Sequence, residues 1–215
     1  LNSVLTDPPK ALAPVGDQVF LDILVKEFLL QGFRRFIFCV GYMKEQIIKH
    51  FENNNSGEFL FSVEETPLGT GGAIENALLL VKSKTVLITN GDSICSVEYL
   101  KFYEFHVQKK ADFSMVLSQD SSRQDAGNVW VDQTNRILSF QEKKATNKGF
   151  INSGIYFLES HCFQLLPEKE RFSLEYDFFP GLIASMNCFG FPVYSDLYDI
   201  GTPERFSKIN HVFSS

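Results

Sequence analysis

The sequence predicts an α/β protein built on a doubly wound sheet. In the first half of the chain, short apolar runs alternate with segments of helical period, as in strands joined by crossover helices. The run Thr85–Thr89 is bounded by turn residues and is typical of a strand buried on both faces at the centre of a parallel sheet. Beyond Phe113 the strands follow one another directly, which predicts a hairpin and makes the sheet mixed.

Periodicity places the individual elements. In the first half we predict helices over 20–30, 43–51, 73–81 and 97–109, and strands over 35–40, 58–63 and 85–89. In the second half we predict strands over 113–117, 128–131, 137–140 and 189–194, a strand over 154–158 within the stretch 149–158, and helical segments over 160–166 and 176–186. Pro180 is expected to interrupt the last of these. A terminal helix begins with Thr202 as its N-cap and Pro203 as its first residue.

Composition limits the class of protein. The 215 residues are 44% hydrophobic and 21% charged, which is typical of a globular chain, and the length suits one domain over 1–215. A net charge of −6 argues against nucleic-acid and membrane partners, whereas a small phosphorylated ligand needs only a few local cations. The four cysteines are far apart in sequence, which favours reduced thiols and a cytoplasmic protein.

Two aspartates are candidate metal ligands. Asn90, Gly91 and Asp92 follow the strand Thr85–Thr89, and ligands of open α/β sheets bind beyond the carboxyl ends of the strands. A carboxylate there suits Mg²⁺ and phosphate chemistry, although a surface turn is the plain alternative. Asp199 lies just before the terminal helix, either as a charge near its N-terminus or as a second metal ligand facing Asp92.

Two further motifs suit a phosphorylated ligand. Lys10 stands in a proline-rich segment whose extended backbone would fix its direction, as a phosphate contact requires; a solvated lysine is the alternative. The Gly-rich run Leu68, Gly69, Thr70, Gly71 and Gly72 precedes a predicted helix and would offer free N–H groups and room for a flat or anionic ligand. It matches neither the dinucleotide nor the P-loop motif, and a tight strand-to-helix connection is the alternative.

The second half adds two candidate sugar contacts. Glu142 can accept hydrogen bonds from sugar hydroxyls and Lys143 can pair with a phosphate, unless both are only a charged hairpin end. Asn152 can donate and accept at once, which suits a hydroxylated ligand, and Gly154 follows it; a turn is the alternative.

In their order along the chain these motifs resemble the sugar-1-phosphate nucleotidylyltransferases. The resemblance covers nearly the whole chain and leans toward the D-glycero-D-manno-heptose 1-phosphate guanylyltransferase branch through the Gly-rich run and the segment 173–180. Mannose-1-phosphate guanylyltransferases and N-acetylmuramate-1-phosphate uridylyltransferases are similar as well. The family implies a Rossmann-like doubly wound mixed sheet, the nucleotide-diphospho-sugar transferase fold, with a β-hairpin part for the sugar in the second half.

The resemblance also implies a reaction, in which an NTP and a sugar 1-phosphate give an NDP-sugar and pyrophosphate. GTP with a heptose or mannose 1-phosphate is the expected pair, for precursors of cell-surface polysaccharides. By the same resemblance Asp92 and Asp199 hold Mg²⁺, Lys10 contacts the nucleotide phosphates and Lys143 the sugar phosphate. The expected nucleotide contacts are Leu68, Gly69, Thr70, Gly71, Gly72, Asn90 and Gly91, and the expected sugar contacts are Glu142, Asn152, Gly154 and Glu175.

The chain departs from the family pattern at its start. Family members open with a strand and a Gly-rich loop that ends Gly-Thr-Arg-Leu, and Leu1 corresponds to that last Leu. Because a sheet without that strand would leave a buried edge unpaired, we expect the strand and loop upstream of Leu1. The alternatives are a non-catalytic sensor of nucleotides or nucleotide sugars on the same fold, and a uridylyl- or cytidylyltransferase. The base, the sugar and a homo-oligomeric state stay open.

Overall fold

The computed structural model describes residues 8–119, 127–141 and 149–213. The strands in this part are β1 Pro14–Val15, β2 Gln18–Val19, β3 Arg35–Val40, β4 Glu58–Val63, β5 Thr85–Thr89, β6 Ser93–Cys95, β7 Phe113–Ser118, β8 Asn128–Val131, β9 Ile137–Gln141, β10 Phe150–Glu159, β11 Cys188–Val193 and β12 Leu197–Asp199. The α-helices are α1 Phe20–Leu30, α2 Lys44–Phe51, α3 Gly69–Ala77, α4 Tyr99–Gln108, α5 Phe179–Ser185 and α6 Pro203–Phe213.

The long strand β10 organises a six-stranded mixed sheet. One edge of β10 pairs antiparallel with β7, which in turn pairs parallel with β11. Its other edge pairs antiparallel with β8 in the first part of the strand and with β5 in the second. The predicted hairpin is confirmed, since β8 and β9 pair antiparallel across the turn 132–136. The predicted mixed α/β fold is therefore confirmed.

The strand β5 is less enclosed than its sequence predicts. It pairs antiparallel with β10, and of its five residues only Ile88 is buried. Within the described residues β3 pairs only with β4, and neither strand pairs with β5. A largely apolar cavity of about 950 Å³ lies between β3 and β5 and is lined by residues of both strands. The expectation of a parallel strand buried on both faces is therefore wrong for the described residues, because β5 pairs there in the antiparallel sense and four of its five residues are only half-buried.

Two helices differ from their predicted bounds. The Gly-rich run is not a loop before a helix, because α3 already begins at Gly69. Pro180 does not interrupt a helix; it stands near the start of α5, where its missing N–H costs nothing. A single π-helical turn, Leu174–Phe178, precedes it. The bounds of α1, β3 and β4 agree with the sequence prediction.

Apolar side chains form two clusters, and aromatic rings are prominent in both. Phe102 of α4 packs on Phe157 of β10 in one cluster, with ring centroids 4.6 Å apart. In the other, Phe179 of α5 packs on Phe113, with centroids 4.8 Å apart. Such pairs add to the free energy of area burial. No helix in the described part of the chain is long and apolar enough to cross a membrane.

A buried polar network lies between α4 and the sheet. The His106 ring is 2% exposed, with Nδ1 2.8 Å from Ser114 Oγ and Nε2 3.3 Å from Glu159 Oε1. Thr85 Oγ1 also donates to Glu159 Oε1. Burial lowers the pKa of His106 and outweighs the opposing effect of Glu159. Burial therefore favours the neutral form of the imidazole in the folded protein.

We expect this network to make stability depend on pH. Because the pKa of His106 is lower in the folded protein than the ordinary 6.5, the unfolded chain binds a proton first as the pH falls. The contribution is fully present above pH 6.5 and is lost on acidification through the folded-state pKa. Urea unfolding across this range should show a shallower acid loss for His106→Gln than for the wild type. Parallel curves for the two proteins would contradict the assignment.

Candidate active site

A short ladder brings the two candidate metal ligands together. Strands β6 and β12 pair antiparallel, with Asp199 opposite Ser93, and the N–H of Ile200 donates to the Asp92 carbonyl at 3.1 Å. These two strands escaped sequence prediction because each has only three residues. The ladder places Asp92 and Asp199, more than a hundred residues apart in sequence, at the same end of β5.

The predicted phosphate contact Lys10 joins the same place. Its Nζ lies 3.2 Å from Asp92 Oδ2, and the two side chains are about half exposed, at 50% and 44%. The lysine is positioned by a single 3₁₀ turn, Lys10–Leu12, which follows Pro9. An exposed ion pair of this kind contributes little to stability. Its value lies in placing a cation and a carboxylate side by side at an accessible surface.

The two carboxylates fit a hard divalent cation that is completed by substrate. No cluster of three or more His, Cys, Asp or Glu side chains that could hold a metal occurs in the described residues. Mg²⁺ does not need one, because it usually keeps several waters and is held by one or two carboxylates together with substrate phosphates. Asp92 and Asp199 are such a pair. A fully protein-built zinc or calcium site would require more ligands than these.

Asp199 differs from Asp92 in its surroundings. Its side chain is only 6% exposed, and Oδ1 accepts a hydrogen bond from the N–H of Gly201 at 2.7 Å. Arg205 Nη1 lies 3.4 Å from Oδ2. The arginine belongs to the first turn of α6, where a positive charge opposes the helix dipole. That unfavourable position was a readable signal, yet sequence reasoning did not select Arg205.

A bulge in β10 carries the predicted sugar contacts to the end of β5. The register of β10 against β7 shifts between Asn152 and Tyr156, and Gly154 adopts φ +72°. A Cβ at position 154 would lie 2.4 Å from Asn90 Nδ2, so only glycine allows this approach. The Asn90 N–H donates to the Gly154 carbonyl at 3.0 Å. A candidate nucleotide contact and a candidate sugar contact are thus neighbours.

The Asn152 amide is held in place by its own strand. Its Nδ2 donates to the Tyr156 hydroxyl at 2.8 Å, and its Oδ1 accepts from the Gly154 N–H at 2.9 Å. The side chain is half-buried and cannot rotate freely. This orientation suits a residue that meets a ligand at a fixed angle.

The Gly-rich run is partly packed against the rest of the protein and partly exposed. The N–H groups of Gly71 and Gly72 donate to the Phe172 carbonyl at 3.0 and 3.4 Å. The expectation that these groups are free is therefore wrong, because the chain supplies its own acceptor. Gly71 and Gly72 are buried, whereas Gly69 and Thr70 are exposed and remain accessible to a ligand.

The remaining predicted residues lie in three places. Leu68 precedes α3 and is half-buried, and Gly91 is exposed beside Asp92. Glu175 lies beside Thr70, whose Oγ1 donates to Glu175 Oε2 at 2.8 Å. Glu142 and Lys143 lie outside the described residues.

The site and the fold together define a nucleotidyltransferase. Residues 5–214 match the family model described as Nucleotidyl transferase, and the chain belongs to this family. The resemblance noted in the sequence is thereby confirmed.

Several relatives are similar over almost the whole chain. The D-glycero-alpha-D-manno-heptose 1-phosphate guanylyltransferase of Aneurinibacillus thermoaerophilus is 34% identical over 211 residues, which are 97% of this chain and 90% of the relative. The enzyme of that name from Campylobacter jejuni is 31% identical over 96% of this chain and 91% of its own. The crystal structure of HddC from Yersinia pseudotuberculosis complexed with GMP-PN has a TM-score of 0.85 at 30% identity, covering 99% of this chain and 93% of that one.

Proposed function

We propose that this protein is a Mg²⁺-dependent guanylyltransferase that acts on a sugar 1-phosphate, with a heptose 1-phosphate as the favoured substrate. The observation that carries the proposal is the convergence of Lys10, Asp92 and Asp199 at one end of β5. The names of the two similar bacterial guanylyltransferases support the choice of GTP and of the heptose. The product would be an NDP-sugar for cell-surface polysaccharides.

The proposed reaction requires neutralisation of the negative charge on the phosphates and does not require a general base. A sugar 1-phosphate is already an anion at neutral pH, so its oxygen can attack the α-phosphorus of the nucleotide while pyrophosphate leaves. Asp92 and Asp199 would hold the cation, which neutralises charge on the phosphates when bound. The protein must bring two polyanions together and keep them aligned.

Each candidate residue has a task in this scheme. Lys10, already beside Asp92, would contact the nucleotide phosphates as a point charge. Gly69 and Thr70 would meet the nucleotide at the exposed start of α3. Asn152 and Gly154 would meet the sugar from the bulge, next to Asn90. Arg205 would orient the buried Asp199 carboxylate.

We also propose that a strand from a segment upstream of Leu1 lies between β3 and β5. Within the described residues each of these strands has one edge without a strand partner, and apolar side chains such as Phe36, Phe38 and Leu87 line the cavity between them. Unpaired backbone beside buried apolar surface is costly, and an added strand would satisfy both edges.

Pyrophosphate release tests the proposed function. The full-length protein would be assayed with Mg²⁺, four NTPs and the 1-phosphates of mannose, glucose, N-acetylmuramate and D-glycero-D-manno-heptose. We expect release with GTP and the heptose phosphate. Release with another pair would keep the reaction and correct the substrate. Nucleotide binding without release from any pair would contradict the enzyme and favour a sensor.

For Lys143→Ala we expect a KM for the sugar phosphate at least about tenfold higher, since a charge-assisted phosphate contact is lost. The KM for the NTP should change little. Steady-state kinetics with each substrate varied in turn provides the measurement. A change confined to the NTP would mean that Lys143 serves the nucleotide and that Lys10 serves the sugar phosphate.

A further inference from the structure

The start of α3 is fastened to the segment 172–175 by reciprocal hydrogen bonds. The Phe172 N–H donates to the Leu68 carbonyl at 3.0 Å, and the Phe172 carbonyl accepts from Gly71 and Gly72. Positions 69 and 71 have no room for a side chain, because a Cβ would lie 2.5 Å from the Phe172 carbonyl oxygen or 2.2 Å from its ring. The two segments are far apart in sequence, so this contact is made by the tertiary fold.

Side-chain hydrogen bonds also join the start of α3 to the segment 172–175. Thr70 Oγ1 accepts from the Leu174 N–H at 2.9 Å and donates to Glu175 Oε2 at 2.8 Å. Ser173 Oγ donates to the same carboxylate oxygen at 2.7 Å and accepts from the Glu175 N–H at 3.1 Å. The single proton of each hydroxyl is thus directed at Glu175 Oε2. The carboxylate fixes which way both hydroxyls point.

We infer that Glu175 is a positioning residue for the nucleotide and that it acts through Thr70. This inference rests on the proposed function and reassigns Glu175 from the sugar, where the family resemblance had placed it. Among the described residues, every polar contact of the Glu175 side chain is made to Thr70 or Ser173. Its carboxylate holds the exposed start of α3, Gly69 and Thr70, in one conformation before the nucleotide arrives. Pre-organisation of this kind raises affinity by removing an ordering cost from binding.

The two substrates of the reaction should respond differently to loss of this carboxylate. If Glu175 positions Gly69 and Thr70 at the start of α3, Glu175→Ala weakens nucleotide binding on the order of tenfold, as for a lost charge-assisted hydrogen bond. The KM for the sugar phosphate stays within about twofold. Glu175→Gln keeps a neutral acceptor for both hydroxyls and should lose less than Glu175→Ala. A sugar ligand at this position would show the opposite split between substrates.

Thr70 provides the matched pair of variants. Thr70→Val removes the hydroxyl at nearly constant volume, whereas Thr70→Ser keeps it and should recover most of the loss. If Thr70 and Glu175 act as one unit, the double variant Thr70→Val/Glu175→Ala binds nucleotide no more weakly than the weaker single variant. Effects that multiply in the double variant would mean independent roles and would overturn the inference.

The experiment measures the Kd of a non-hydrolysable GTP analogue by calorimetry for the wild type and these variants. Urea unfolding of the same set verifies that each variant is folded, and Glu168→Gln, at an exposed carboxylate that precedes this segment in sequence, serves as the control. Weaker nucleotide binding with an unchanged KM for the sugar phosphate supports the inference. Unchanged nucleotide affinity in Glu175→Ala overturns it while leaving the proposed function intact. A wild type that binds no nucleotide overturns both.

Discussion

Replacing Asp92 by Asn should reduce kcat by about a thousandfold or more, because several kcal/mol of charge stabilisation at the phosphates are lost with the cation. The fold should persist. The side chain is 44% exposed, its partners are Lys10 and Ser93, and the backbone bond from Ile200 to the Asp92 carbonyl is independent of the substitution. Pyrophosphate release under saturating substrates measures the loss, and urea unfolding verifies that stability changes by less than about 1 kcal/mol.

The exposed carboxylate Glu104 offers a matched control for this substitution. Glu104→Gln also removes one negative charge, on the outer face of α4, and should leave kcat unchanged. Asp199→Asn is a less selective variant, since the buried carboxylate also accepts from Gly201 and contacts Arg205. It should lose both activity and stability. Full activity of Asp92→Asn would contradict the proposal that Asp92 holds the metal.

The second large effect is expected for Gly69→Ala. Gly69 has φ +76°, where a side chain costs about 1–2 kcal/mol, and the new Cβ would also lie 2.5 Å from the Phe172 carbonyl oxygen. Because that oxygen belongs to the backbone, the start of α3 must move. We expect the free energy of unfolding to fall by more than about 2 kcal/mol and the affinity for nucleotide to fall with it. Urea unfolding and calorimetry measure the two effects.

Substitutions at two other glycines separate the cost of a positive φ from the cost of the contact with Phe172. Gly32 has φ +97°, and a Cβ there would meet nothing within 4 Å, so Gly32→Ala should show only the backbone cost of about 1–2 kcal/mol. Gly181 lies inside α5 with open space and no positive φ, so Gly181→Ala should be neutral or stabilising by about 0.5–1 kcal/mol. If Gly69→Ala lowered the free energy of unfolding no more than Gly32→Ala does, the close approach to Phe172 would not contribute to the loss of stability.

The residues that local patterns predicted well are those whose environment is set by near neighbours. The helix α1, the strands β3 and β4 and the hairpin β8–β9 follow from periodicity and turn residues within the segment itself. The placement of Asp92 at the end of β5 follows from a polar turn after an apolar run. Each of these features depends on contacts a few residues apart along the chain.

Features that depend on distant partners could not be predicted in this way. The start of α3 at Gly69 depends on the Phe172 carbonyl, which supplies the acceptor that the first turn needs. The bulge at Gly154 depends on the approach of Asn90, the residue that follows β5. Arg205 is paired with Asp199 across a helix start that disfavours a cation.

By itself, the sequence determined the order of motifs, the α/β class and the chemistry of the candidate residues, because side-chain type and short-range periodicity are properties of the chain. Only the tertiary structure decided which of those residues meet. The ladder of β6 and β12 brings Asp199 to Asp92, and the hydrogen bond between Thr70 and Glu175 joins a predicted nucleotide contact to a predicted sugar contact. Two residues far apart in sequence come into contact only when the fold places them on paired strands or within hydrogen-bond distance. The packing of the whole chain decides this.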